Sequence, residues 1–214
     1  MGKPSIFVAM PNRGSLRVGH TDNLLRWFLS GKYNITWFPL SGVEPHDRAR
    51  NTCHREFLNS KCDYIMWLDD DTVPPENIID DLLYADVDMI SAVVQTHKLG
   101  ESGDPQIVPC SFRKFGKGYK PHFNGSGITK VDATTLAATL IKRSVMENVS
   151  KPAFQFLYGD EFGTDGMSED FYFCERVTES GYSMFCHYDI VCNHFKTWPT
   201  KTINRMLIEA SNGE

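Results

Sequence analysis

The stretch Tyr64-Ile65-Met66-Trp67-Leu68-Asp69-Asp70-Asp71-Thr72 constrains this chain more than any other. An apolar run of strand length leads directly into three consecutive carboxylates. Adjacent like charges repel, so a fold that gathers them at a strand end needs a counter-charge. The usual one is a divalent cation held by oxygen ligands, with phosphate oxygens completing its shell. Asp69 and Asp71 form the pattern Asp-x-Asp, which reads as a metal–diphosphate site for a nucleotide-activated donor. A solvated acidic turn closed by Pro74 is the plainer reading, but the step from Ile-Met-Trp-Leu to three acids is too abrupt to favour it. Asp70 falls on the other side of an extended chain, toward a donor ribose or water.

The flanking sequence reads as an α/β pattern. Ser5–Met10 is a strand candidate, broken by Pro11-Asn12-Arg13-Gly14-Ser15. Thr21–Leu29 follows as a helix with Leu24, Leu25, Phe28 and Leu29 on one face. Asn34–Leu40 is a second strand. The next helix starts near Pro45, with Ala49, Cys53 and Phe57 as its buried stripe. After strand 64–69, Pro74-Pro75 opens a helix over Glu76–Tyr84, and Asp88–Val94 is another strand. This alternation predicts a parallel sheet with crossover helices. Ligands bind beyond the carboxyl ends of such strands, so Asp69–Asp71 and Pro11–Ser15 should face one crevice.

Later segments are less regular. Residues 96–127 carry six glycines and prolines at 105, 109 and 121, and read as long loops with at most short strands. Val131–Ile141 is a strand candidate leading into a helix over Ile141–Val149, and Ala153–Asp165 is irregular. Ser168 is a candidate N-cap for a helix over Glu169–Ser180 stopped by Gly181. Ser183–Phe195 is a strand or hairpin. The expected organisation is one domain over 1–199, with a nucleotide-binding half (1–95) and an acceptor half (96–199), followed by a C-terminal helix or tail (200–214).

Composition narrows the class. With 214 residues, 41% hydrophobic and 23% charged, the chain can bury one substantial core. No apolar run reaches the roughly 18 residues of a membrane span, and the N-terminus lacks a signal-peptide pattern. The six cysteines contain no Cys-x-x-Cys, so reduced thiols and a cytoplasmic location are expected. A net charge of −5 disfavours broad affinity for nucleic acid, which therefore enters only as an acceptor.

Two further groups carry chemistry. Glu169-Asp170 open a helix, where a dipole-complementing role competes with catalysis. A carboxylate held there can take a proton from an attacking hydroxyl, with Asp170 as the base and Glu169 orienting the acceptor. His194 ends the apolar run Val191–Phe195. Alone it would read as a core histidine, but its position 24 residues after Asp170, across a helix and a returning strand, makes it a ligand candidate.

The ordered set of Pro11-x-Arg13, Ala49-Arg50-Asn51, Leu68-Asp69-Asp70-Asp71, Glu169-Asp170-Phe171-x-Phe173-Cys174-x-Arg176, Gly181-Tyr182 and His194 resembles the GT-A glycosyltransferases, particularly family 2-like members, over nearly the whole chain. The resemblance implies a single GT-A (Rossmann-like) α/β domain, with a mixed central sheet and helices on both faces. It implies Mn²⁺ or Mg²⁺ held by Asp69 and Asp71 against the diphosphate of a UDP- or GDP-sugar, with His194 completing the coordination. Pro11, Asn12, Arg13, Arg50, Asn51, Asp69 and Asp70 would lie on the nucleotide side, and Glu169 and Asp170 would flank the acceptor. The implied activity is hexosyl or pentosyl transfer to a saccharide, protein, small molecule or modified DNA base. One departure is Leu136-Ala137-Ala138-Thr139, where many members carry a glycine, which would narrow the space near the donor sugar. Loop 96–127 would close over the donor, with His97, Lys98, Lys117 and His122 as candidate contacts.

Three rivals remain. A haloacid-dehalogenase-like phosphatase would use Asp69 as nucleophile, with Ser91, Lys142 and Gly159-Asp160-x4-Asp165 as its other motifs. That places its first motif on the third strand and gives His194 no task. A sugar nucleotidyltransferase would open with a Gly-rich basic loop, which Pro11–Ser15 matches poorly. The third is a non-catalytic nucleotide-sugar-binding module.

Overall fold

Strand alternation divides one sheet between two cores. On β1 (Ser5–Asn12) and β3 (Tyr64–Leu68), Phe7, Ala9, Ile65 and Trp67 enter one core, while Ile6, Val8, Met10, Met66 and Leu68 enter the other. The computed structural model describes residues 2–99, 105–161 and 166–196. After β1 come α1 (Val18–Ser30), β2 (Asn34–Ser41) and α2 (His46–Asn59). Past β3 lie β4 (Thr72–Val73), α3 (Ile78–Tyr84) and β5 (Met89–Val93). Two hairpins follow, β6 (Gln95–Leu99) with β7 (Pro105–Pro109) and β8 (Ser111–Phe115) with β9 (Gly118–Pro121). The chain continues through β10 (Ile128–Val131), β11 (Ala133–Thr134), β12 (Ala138–Lys142), α4 (Arg143–Asn148), β13 (Leu157–Tyr158), β14 (Gly166–Met167), α5 (Glu169–Glu179), β15 (Met184–Val191) and β16 (Asn193–His194).

The central sheet runs β10-β15-β5-β12-β3-β1-β2. β2, β1 and β3 are parallel, as the alternation predicts. β5 does not join them directly, because β12 inserts between β3 and β5 and runs antiparallel to both. β15 is parallel to β5, and β10 closes the far edge antiparallel to β15. Helices α2, α4 and α5 cover one face through Cys53, Phe57, Val145, Met146, Phe173 and Val177. Helices α1 and α3 cover the other through Leu24, Trp27, Ile78, Ile79 and Leu82. The sheet is therefore mixed, with helices on both faces.

Two expectations are corrected. Residues 96–127 are not mainly loop: β6–β7 and β8–β9 are hairpins. The Gly116 that suggested a loop turns β8 into β9, with φ +58, a conformation side chains disfavour. Helix α1 also turns a different face inward. His20, Asn23, Leu24 and Trp27 are buried, while Leu25, Phe28 and Leu29 are exposed, Leu29 to 83%. Polar anchors set this rotation. The Asn23 carboxamide donates to the Pro74 carbonyl at 2.8 Å, the Trp27 indole N–H donates to the Glu76 carbonyl at 2.8 Å, and His20 Nε2 meets the Thr72 carbonyl at 2.8 Å. All three partners lie just after the acid run, so α1 braces the segment leaving it. Expected residues 200–214 lie outside those described.

This arrangement predicts unequal stability effects on one helix. Trp27→Ala should cost about 3–5 kcal/mol, as for other buried aromatic truncations, and Leu29→Lys no more than about 0.5 kcal/mol. Urea unfolding of the two variants measures both; equal losses would mean that Leu29 is covered.

Candidate active site

The three acids at the end of β3 each meet a cation. Asp69 closes a tight turn, its N–H donating to the Ala137 carbonyl at 3.1 Å and its carbonyl accepting from the Thr72 N–H at 3.1 Å. Its Oδ1 accepts from Arg50 Nη2 at 3.0 Å. Asp70 accepts from Arg13 three times, through the backbone N–H at 2.9 Å, Nε at 3.2 Å and Nη2 at 2.9 Å. Burial works against its ionisation, but Arg13 outweighs it and holds the carboxyl below the usual range. Asp71 accepts from Lys196 Nζ at 2.7 Å and lies 3.5 Å from His194 Nε2. There too burial opposes the charge, and His194 and Lys196 overcome it.

The distant histidine arrives through a two-residue ladder. β16 pairs antiparallel with β4, His194 opposite Thr72, and the Phe195 N–H donates to the Asp71 carbonyl at 2.8 Å. His194 Nδ1 lies 2.6 Å from the Gln95 carbonyl. A carbonyl only accepts, so Nδ1 carries a proton, and Nε2 is the ring atom turned toward Asp71 Oδ1. A carboxylate and an imidazole oriented by a carbonyl suit a divalent metal ion. Among the described residues, no three His, Cys, Asp or Glu side chains form a ready-made metal cage.

Arg50 joins the acid run to the start of α5. It is 1% exposed, sits over the Trp67 ring at 5.2 Å, and lies 3.6 Å from Asp170 and 4.0 Å from Glu169. Burial opposes its charge, and Asp69, Asp170 and Glu169 more than compensate, so it stays ionised. Asp170 Oδ2 accepts from the Thr135 hydroxyl at 3.0 Å and the Leu136 N–H at 3.3 Å, while Oδ1 has no hydrogen-bond partner. Burial pushes the Asp170 pKa up; Glu169 is pushed up by burial and then by the neighbouring Asp170 charge. Ser168 sits at the N-cap position with extended backbone, but its hydroxyl makes no capping bond. The two acids of the first turn face Arg50.

These groups line one cavity of about 690 Å³. Pro11, Asn12, Arg13, Arg50, Asp69, Asp70, Asp71, Glu169, Asp170 and His194 all border it. Asn51 does not; its carboxamide donates to the Phe154 carbonyl at 2.7 Å and pins that loop. Lys117 and His122 lie on or beside the β8–β9 hairpin, and of residues 96–127 only Cys110 borders the cavity among those described. The phosphatase set does not assemble. Lys142 pairs in register with Tyr64, at the end of β3 away from Asp69, and binds Asp86; the Ser91 hydroxyl bonds Thr134. Asp165 lies outside the described residues.

Several bordering residues escaped the sequence reading, Lys196, Thr135 and His46 among them. Lys196 had a signal: it lies two residues after His194 on an extended chain, hence on the same side. Thr135 and His46, the latter 4.0 Å from Glu169, had none.

No protein-family model and no curated protein sequence matches the chain. Among solved structures it is similar to the crystal structure of A197 from STIV, with a TM-score of 0.60 and 20% identity over 91% of this chain and 86% of that one. It is also similar to the crystal structure of GalNAc-T7 with UDP, GalNAc and Mn²⁺, with a TM-score of 0.54 and 12% identity over 90% of this chain and 44% of that one. Likeness at such identity establishes the fold, a single Rossmann-like α/β domain of the GT-A kind. None of the described helices is long and apolar enough to cross a membrane.

A proton linkage follows from Asp170. Its folded pKa lies above the unfolded value of about 3.9, so the folded state binds more protons between the two. Stability then falls as pH rises through that window. Asp170→Asn removes this linkage, so its melting temperature relative to wild type should climb as pH rises above about 4. The climb is roughly 3–6 °C for each tenfold change in proton affinity, or about 1.4 kcal/mol. Thermal melts across that range check it; a flat difference would mean that Asp170 ionises as in the unfolded chain.

Proposed function

We propose that this chain is a cytoplasmic, metal-dependent glycosyltransferase that moves a sugar from a UDP- or GDP-sugar to an acceptor hydroxyl. The observation that supports it is the Asp71–His194 pair, a carboxylate and an imidazole 3.5 Å apart, on the same cavity as the Glu169–Asp170 pair. Asp71 and His194, with Asp69 beside them, would hold Mn²⁺ or Mg²⁺. When bound, the ion supplies Lewis-acid stabilisation for the departing nucleoside diphosphate. In support, the similar GalNAc-T7 structure contains UDP, GalNAc and Mn²⁺.

The chain's own residues divide the remaining work. Pro11, Asn12, Arg13 and the 42–46 segment frame the nucleotide side, so residues 1–95 supply the donor half. Arg13 and Lys196, which neutralise Asp70 and Asp71 in the free protein, are the cations within reach of a diphosphate. Ala137 borders the donor-sugar side with a methyl group. On the acceptor side, from residues 96–199, Asp170 is steadied through Oδ2 by Thr135 and Leu136, and its Oδ1, 3.6 Å from Arg50 and without a hydrogen bond, would take the acceptor proton. Glu169 orients that hydroxyl. Arg50 balances the acids throughout.

Thermal shift with UDP and GDP, each with Mn²⁺ or Mg²⁺, tests this reading. At a ligand concentration one hundred times Kd the folded state gains about 2.7 kcal/mol, a rise of roughly 5–10 °C for a chain of this size. Asp71→Ala should abolish the metal-dependent part and the slow metal-dependent hydrolysis of a UDP- or GDP-sugar. No shift with any nucleotide and metal combination would refute the assignment.

A further inference from the structure

Residues 111–131 contain five lysines and arginines and no aspartate or glutamate, in a chain whose net charge is −5. They build β8, β9 and β10. In the β8–β9 ladder Arg113 lies opposite Lys120, and Lys114 opposite Tyr119. One face of the hairpin is spent on packing, since Phe112 and Tyr119 meet the Phe171 ring of α5 at 4.9 and 4.8 Å. The other face carries Arg113, Phe115 and Lys120, with Lys117 at the turn. It is open among the described residues: Phe115 is 60% exposed, and Phe123, just past β9, is 61% exposed. Lys120 Nζ stands 3.4 Å from the Phe115 ring centre.

The positive charge on and around this hairpin is largely uncompensated. Arg113 reaches Asp132 only at 4.0 Å and Lys114 reaches Glu175 at 3.8 Å. Lys117, Lys120 and Lys130 have no carboxylate partner among the described residues. Meanwhile the root of the hairpin is built into the catalytic cavity. Ser111 pairs with Thr134, the Thr135 N–H donates to the Cys110 carbonyl at 3.1 Å, and Thr135 holds Asp170. Cys110 and Thr135 both border the cavity.

We propose that this hairpin face docks a nucleic-acid strand that carries the acceptor hydroxyl toward Asp170. The docking stands on the hairpin alone, and the acceptor role rests on the transferase reading. Each nucleotide offers one phosphate charge and one flat ring, and cations beside exposed aromatic rings match that pairing. An acidic peptide or an acidic glycan would match the lysines but leave Phe115 and Phe123 without a planar partner.

Fluorescence anisotropy with a labelled single-stranded 20-nucleotide DNA or RNA tests it, with polyglutamate and heparin as competitors. Wild type should bind at 50 mM salt. Lys117→Glu with Lys120→Glu should weaken binding at least tenfold and reduce the salt slope by about 1.4, the value for two single-strand phosphates. Phe115→Ala with Phe123→Ala should weaken it roughly thirtyfold or more, as for loss of stacking on two bases. Absence of wild-type binding, or variants that bind like wild type, would overturn the proposal. So would heparin or polyglutamate binding more tightly than the oligonucleotide. The UDP and Mn²⁺ thermal shift is read on the same variants and should be unchanged, which also shows them folded. If wild type lacks that shift but binds the oligonucleotide, the transferase reading fails while the docking face stands.

Discussion

A guanidinium closed off from water organises the site. Arg50 is ionised at 1% exposure, over Trp67 and among three carboxylates. Its Nε and Nη1 lack hydrogen-bond partners, so its attraction to the acids rests on charge more than on saturated hydrogen bonding. Replacing buried ion clusters with apolar residues is often neutral or stabilising, and folding alone gives little reason for such a group. What Arg50 does is tie Asp69, at the end of β3, to Glu169 and Asp170, at the start of α5. Donor-side and acceptor-side acids share one counter-charge and are held at fixed separation by it.

The remaining acids follow the same logic with different partners. Asp70 is clasped by Arg13 from the loop after β1, and Asp71 by Lys196 from beyond β16. The acid run is thus compensated by cations from three separate parts of the chain, each delivered by a different strand end or helix. Repulsion within Asp69–Asp71 is relieved by the fold itself. Beside them, the His194 imidazole faces Asp71 at 3.5 Å, held in place by the Gln95 carbonyl.

Much of this was legible in the sequence because it depends on local pattern. The apolar run 64–68 entering three acids, the Ala49–Cys53–Phe57 stripe and the glycine after α5 all report directly on backbone periodicity. Gly181 indeed has φ +84. The rotation of α1 was not legible, because a reading based on apolar side chains gives no weight to Asn23 and His20, whose hydrogen bonds to the 72–74 backbone decide which face turns inward. The β6–β7 and β8–β9 hairpins were obscured by glycines, which mark loops and tight turns alike. Thr135 acts through long-range pairing of β11 on β8, and two-residue ladders leave almost no trace in sequence, whereas Lys196 could have been found from its spacing to His194. Asn51 follows a motif that resembles nucleotide contacts, yet its amide is engaged by the Phe154 backbone.

The insertion of β12 between β3 and β5 has a consequence for how the chain is made. When the first 95 residues have left the ribosome, β3 and β5 are not neighbours in the final sheet; both await a strand that begins at Ala138. Until then two hydrophobic strands present bare edges, the kind of surface on which nascent chains associate wrongly. Translation of the intervening hairpins therefore sets a vulnerable interval, and its length is written into the order of the sheet.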